Sequence, residues 1–180
     1  MESVSIGLSK QAGVKTAILI IGDPGGGKSS ICRSLTGASR LTPSKRGKAP
    51  IYDHVTQKGT HIRTMVIHTS PQEQNVSPKN FLNSSPYSEI VSRRKHYDNL
   101  VLALEETYKW PAQDYIDILL SLGFDVRAAL ISVNPNTALV NYLNKKNIKY
   151  VPVPYNPSYN PNVRYDPFKV AEIIRNTIWP

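Results

Sequence analysis

The sequence predicts a three-layer α/β domain with a mostly parallel central sheet of about five strands. Three observations lead there. Short apolar runs suited to buried strands alternate with segments of helical periodicity. The clearest of those runs, Ala17-Ile18-Leu19-Ile20-Ile21 and Leu100-Val101-Leu102-Ala103-Leu104, have no polar face, as expected of strands covered on both sides. The first run also passes directly into a glycine-rich turn and then a helix.

In chain order, Met1 to Lys15 is polar and reads as a flexible N-terminus without a signal peptide. The strand at Ala17–Ile21 follows, then a helix from Ser29 to about Leu35, with Cys32 as a small core residue. Gly37 to Lys48 reads as a mobile basic loop. Pro50 to Val55 is a short strand candidate, and His61 to His68 alternates before turning apolar, so it is a better one. Thr69 to Pro86 is rich in Ser, Asn and Pro and reads as a connection too polar for the core. Tyr87 to Tyr97 is expected to be a helix carrying Arg93, Arg94 and Lys95.

The Leu100–Leu104 strand ends at Glu105-Glu106-Thr107. Pro111 opens a helix to Leu122 with Ile116, Leu119 and Leu120 at helical spacing, and Gly123 stops it. Val126 to Val133 is a strand, Asn134-Pro135-Asn136 opens a helix to about Lys146, and Ile148 to Val153 is another strand. Asp166-Pro167 starts a last helix with Val170, Ile173, Ile174 and Ile178 on one face. Before it stand three units, Tyr155-Asn156-Pro157, Tyr159-Asn160-Pro161 and Tyr165-Asp166-Pro167. They suit either a Pro-rich loop covering the sheet edge or an aromatic surface that stacks on bases.

The chemistry is concentrated in Gly22-Asp23-Pro24-Gly25-Gly26-Gly27-Lys28-Ser29, which spells G-x-x-x-x-G-K-S between a strand and a helix. Residues without side chains let the backbone turn left-handed and aim successive N–H groups at one anion. The helix start points its positive dipole end at the same place. Gly22 to Ser30 would therefore hold the phosphates of ATP or GTP, Lys28 would reach the β- and γ-phosphates, and Ser29 would ligate Mg²⁺.

The 180 residues are expected to form one domain. A single cysteine excludes an intrachain disulfide framework. No apolar stretch approaches a membrane span, so a soluble, cytoplasmic chain without a membrane partner is expected. The 22 Lys+Arg against 13 Asp+Glu give a formal charge of +9. That excess suits a nucleic-acid partner, and equally a protein whose substrates are anionic.

Phosphoryl transfer also needs a carboxylate near the metal or acceptor, and cations for the transferring group. His68 occupies the acidic position expected after the strand Met65-Val66-Ile67, which leaves Asp53, Glu105, Glu106 and Asp23 as candidates. Carboxylates at strand ends should line the crevice beside the loop. The spacing of His54, His61 and His68 matches no metal-site pattern.

From the phosphate loop, and from about Asp98 to Pro154, the chain resembles small P-loop kinases of the polynucleotide kinase and zeta-toxin type. The shared order is a strand, Glu-Glu-Thr-Tyr-Lys, a Pro-started helix, Leu-Gly-Phe-Asp-Val-Arg, a strand and Asn-Pro. The resemblance implies a P-loop NTPase fold and transfer of the γ-phosphate of ATP to a hydroxyl acceptor. It implies Asp53 as the acceptor-activating acid and Arg93 and Arg94 as a lid over the phosphates. Gly-Lys-Ser-Ser with Ile31, Leu35, Thr36 and Gly37 is also similar to the first motif of small GTPases. In that comparison His68 and Pro71 replace the Asp and Gly of Asp-x-x-Gly, and Asn144-Lys145-Lys146-Asn147 approximates the base-reading motif. The third possibility is an NTPase module that couples nucleotide to nucleic-acid or protein partners.

Overall fold

The computed structural model describes residues 14–36, 48–55, 61–132, 134–153 and 167–179. The expected N-terminal arm, most of the basic Gly37–Lys48 loop and the Tyr-Asx-Pro units lie outside those residues. The chain forms a six-stranded sheet in the order β2-β3-β4-β1-β5-β6. Its strands are β1 (Thr16–Gly22), β2 (Ile51–Val55), β3 (His61–Ile67), β4 (Asn99–Leu104), β5 (Asp125–Ile131) and β6 (Lys149–Val153). Every neighbouring pair is parallel except β2 with β3. The sixth strand is thus the antiparallel edge β2.

Alternation along β1 divides the core. Ile18 and Ile20 face α1 (Lys28–Thr36) and α5 (Pro167–Thr177), meeting Ile31, Cys32, Leu35, Val170 and Ile174. Ala17, Leu19 and Ile21 face the opposite layer, where α3 (Ala112–Ser121) supplies Ile116 and Leu119 and α4 (Thr137–Lys145) supplies Leu139 and Leu143. Helices on both faces leave β1 and β4 wholly buried, which explains their lack of a polar face. In α5, Val170, Ala171 and Ile174 form the buried stripe while Ile173 turns outward. Asn136 caps α4 by accepting from the Ala138 N–H, and Gly123 ends α3 at φ +78°.

Two expectations need correction. Part of the Thr69–Pro86 segment is packed into the core: Phe81, Ser70 and Gln72 are buried, while Glu73 to Asn75 and Lys79 and Asn80 stay exposed. Phe81 sits between the rings of Tyr87 and Tyr115, each 5.2 Å away by centroid. The Tyr87 hydroxyl donates to the Thr69 carbonyl and Tyr115 to that of Val76, so aromatic residues outside the polar string anchor it. The expected Tyr87–Tyr97 helix is broken into a short α2 (Glu89–Ser92) and a 3₁₀ turn at Arg94–His96.

The parallel strands all point their carboxyl ends one way. The helix after β1 packs on one face of the sheet and the helix after β4 on the other. Adjacent β1 and β4 therefore send their loops apart, which opens a crevice at the carboxyl end between them, where α/β sheets bind ligands.

Candidate functional site

The glycine-rich loop leaves β1 at this crevice. A Cβ on Gly22 would stand 2.7 Å from the Ile131 carbonyl oxygen, so only glycine lets β1 and β5 stay paired there. Gly25 and Gly27 both adopt φ +74°, and the Gly26 N–H donates to the Asp23 carbonyl at 3.0 Å. The turn delivers the chain into α1 at Lys28, with Ser30 and Ile31 donating back to the Gly27 carbonyl.

Lys28 is buried, and its ammonium points inward. It donates to the carbonyls of Gly22 (3.2 Å) and Asp23 (2.8 Å) and to Glu105 Oε1 (2.5 Å). Glu105, the residue after β4, is completely buried, so its charge depends on this lysine. Glu73 Oε1 lies 3.8 Å from the same ammonium.

The two carboxyls behave as a pair. Burial, and then a hydrogen bond with the Glu73 carboxyl, push Glu105 up to about 7 despite Lys28. Burial also acts to raise Glu73, but the bond to Glu105, the Lys28 charge and two contacts from Ser70 outweigh it and hold Glu73 below its ordinary value. Glu105 Oε2 is buried and receives no donor. A second carboxyl this close favours the protonated form of the buried one, so the proton belongs on Glu105 rather than on the exposed Glu73.

Glu73 enters through a compact turn. The Ser70 N–H donates to Glu73 Oε2 at 3.3 Å, and the Glu73 N–H donates to Ser70 Oγ at 3.1 Å, a reciprocal cap. Between them Gln72 clamps β4. Its Nε2 donates to the carbonyls of Glu105 (2.7 Å) and Trp110 (3.2 Å), and its Oε1 accepts from the Glu105 N–H at 3.2 Å. Sequence reasoning missed both residues, although Ser70-Pro71-Gln72-Glu73 carries the capping-box signal with proline just inside its start.

Ser29 Oγ donates to the His68 carbonyl at 3.3 Å, which brings the end of β3 to the loop. The His68 imidazole is half-buried, and burial together with the nearby Arg33 charge lowers its pKa. Glu106 faces away from Lys28. It accepts from the Asn136 N–H at 2.5 Å, tying the start of α4 to the end of β4, and burial raises its pKa. Asp23 is exposed on the loop.

Of the residues singled out from sequence, Gly22 to Ser30, Lys28, Ser29 and Glu105 come together. Asp53 does not. It lies in the middle of β2 and pairs with Arg63, near the amino end of β3. Because β2 runs antiparallel, following it from Ile51 to Val55 leads away from the crevice, so the expectation that all strand ends line it fails for Asp53. Arg94 donates to the Leu122 carbonyl at 2.5 Å and lies over the Phe124 ring at 5.1 Å, at the amino end of the sheet. Arg93 is held by Glu89 at 2.7 Å and by the Ala49 carbonyl at 2.8 Å. Neither arginine has the loop as a partner. Asn144 to Asn147 end α4 at the amino side of the sheet, away from the loop, and His61 and His68 stand at opposite ends of β3.

Among the described residues no group of three or more His, Cys, Asp or Glu side chains is placed to hold a metal, and no helix is long and apolar enough to cross a membrane. No family model, curated protein or solved structure matches the chain.

Proposed function

We propose that this protein binds a nucleoside triphosphate at the Gly22–Ser30 loop and hydrolyses its terminal phosphate, with Glu105 as the base. The observation that carries the reading is the Lys28–Glu105 contact of 2.5 Å, placed at the crevice between β1 and β4.

The chemistry follows from what these groups offer. A triphosphate in the loop competes for the Lys28 ammonium with the Gly22 and Asp23 carbonyls and with Glu105, and its charge favours the exchange. Water then attacks the γ-phosphorus, its proton passes to Glu105, and the bond to the β-phosphate oxygen breaks to release the diphosphate. A carboxyl whose pKa sits near 7 is well matched to taking up a proton near neutral pH. The Ser29 hydroxyl and the Glu73 carboxylate are hard oxygen donors of the kind Mg²⁺ takes beside substrate phosphates. When bound there, the ion would offset charge on the phosphate oxygens.

Hydrolysis is preferred to transfer onto a hydroxyl because Asp53, Arg93 and Arg94, the residues assigned to acceptor and lid, have other places in the fold. The test is phosphate release from ATP and GTP by wild type and Glu105→Gln. The variant should bind nucleotide and lose turnover by about 10²-fold or more. Wild-type turnover in Glu105→Gln would sink the assignment.

A further inference from the structure

The formal charge of +9 belongs to the whole chain, and the described residues do not collect it around the phosphate loop. Lys28 stands beside Glu105 and Glu73, and Asp23 and Glu106 add negative charge to the same end of the sheet. Cations gather instead at the opposite end of the sheet. Arg63 pairs with Asp98, Arg127 with Asp125, and Lys146 with Asp117. Lys95, Lys145 and Lys149 are exposed there and make no ion pair among the described residues.

Topology puts these residues on one end. Thr16, at the start of β1, is in register with Asn99 and Asp125, and Asn99 with Thr64. Arg127 is in register with Lys149 at the start of β6. Lys145 and Lys146 close α4 just before that strand, and Lys95 lies in the turn leading into β4. From β3 to β6 the row crosses four strand intervals, about 19 Å at the usual spacing.

We infer that this amino-terminal end of the sheet docks the phosphate backbone of a nucleic acid. The cations are spread across the sheet from β3 to β6, a span that several successive phosphates can match, since a nucleic-acid strand carries one charge per about 3.4 Å of axis. The neighbouring carboxylates Asp98, Asp125 and Asp117 are each bound to an arginine or lysine, so Lys95, Lys145 and Lys149 face solvent without an ion-pair partner among the described residues. The surface is separate from the nucleotide site, so either reading can fail without the other.

The experiment is fluorescence anisotropy of a labelled 20-nucleotide single strand and its duplex, at about 50 and 200 mM salt. The variant reverses Lys95→Glu, Lys145→Glu and Lys149→Glu together, and Lys109→Glu, beside the phosphate-loop end, is the control. Wild type should bind with steep salt dependence. The triple variant should lose at least about tenfold in affinity, and its slope of log K against log salt should flatten by about 2 to 3. Lys109→Glu should bind as wild type, and unchanged ATP binding and circular dichroism would show the triple variant folded. No oligonucleotide binding at low salt, equal binding by the triple variant, or binding only to phosphatidylserine vesicles or polyglutamate would each overturn the inference.

Discussion

Lys28 Nζ and Glu105 Oε1 stand 2.5 Å apart across 77 residues of chain, and both side chains are buried. Neither is stable there alone: removing one partner strands a charge away from water, while a ligand that takes the lysine leaves a carboxyl poised to accept a proton. This contact ties the glycine-rich turn after β1 to the end of β4.

Burial of Glu105 beside Glu73 makes stability depend on pH in a defined direction, against the opposing charge of Lys28. Glu105 in the folded protein holds its proton up to about 7, against an ordinary value of 4.5. The folded state therefore binds more protons than the unfolded state between those values, and the Glu105 contribution to stability falls as pH rises through them. Glu73 shifts the other way, so its contribution is lost only below about 4.5. Melting curves should show Glu105→Gln gaining on wild type between pH 4.5 and 7, and a constant gap across that range would contradict the raised value of Glu105.

Gln72 should matter for stability more than a polar loop residue normally does. Its amide serves both the N–H and the carbonyl of Glu105. Gln72→Ala leaves those buried groups without partners and should cost about 2 to 3 kcal/mol in urea unfolding. A loss below about 0.5 kcal/mol would mean the turn detaches from β4 freely.

The two glycines that open the loop should respond differently to alanine. At Gly22 the new methyl meets the Ile131 carbonyl and Cβ, at 2.7 and 3.1 Å, and must separate β1 from β5. At Gly25 there is open space, and only the φ of +74° resists. Gly22→Ala should lose about 1 to 3 kcal/mol by unfolding, and Gly25→Ala about 1 kcal/mol. The reverse order would place the tight approach elsewhere.

Asp53→Ala should leave phosphate release within about twofold of wild type, since an exposed mid-strand side chain on β2 is far from the reacting groups. Its loss of turnover, measured beside Glu105→Gln, would restore Asp53 to the site.

These contrasts show what the sequence could and could not disclose. The glycine-rich turn after β1, α1, α3 and β4 were legible because their signals are local: glycine at forced turns, proline and glycine at helix ends, an apolar run covered on both faces. Lys28 and Glu105 were legible as candidates, but their contact was not, because it depends on β4 lying beside β1. Asp53 stands apart from Lys28 for a reason of the same kind. A residue at a strand end belongs to the site only if the strand points towards it, and β2 runs the other way. Glu73 went unnoticed because a polar segment was taken for a surface connection, whereas Phe81, Tyr87 and Tyr115 draw it into the core.

The most direct test of the account is calorimetric titration of ATP and GTP, with Mg²⁺, into wild type and Lys28→Ala, with folding of both checked by circular dichroism. Saturable 1:1 binding of at least one triphosphate by wild type, weakened at least about 100-fold in a folded Lys28→Ala, is the predicted result. Equal affinity in the two proteins, or no triphosphate binding by wild type, would contradict it.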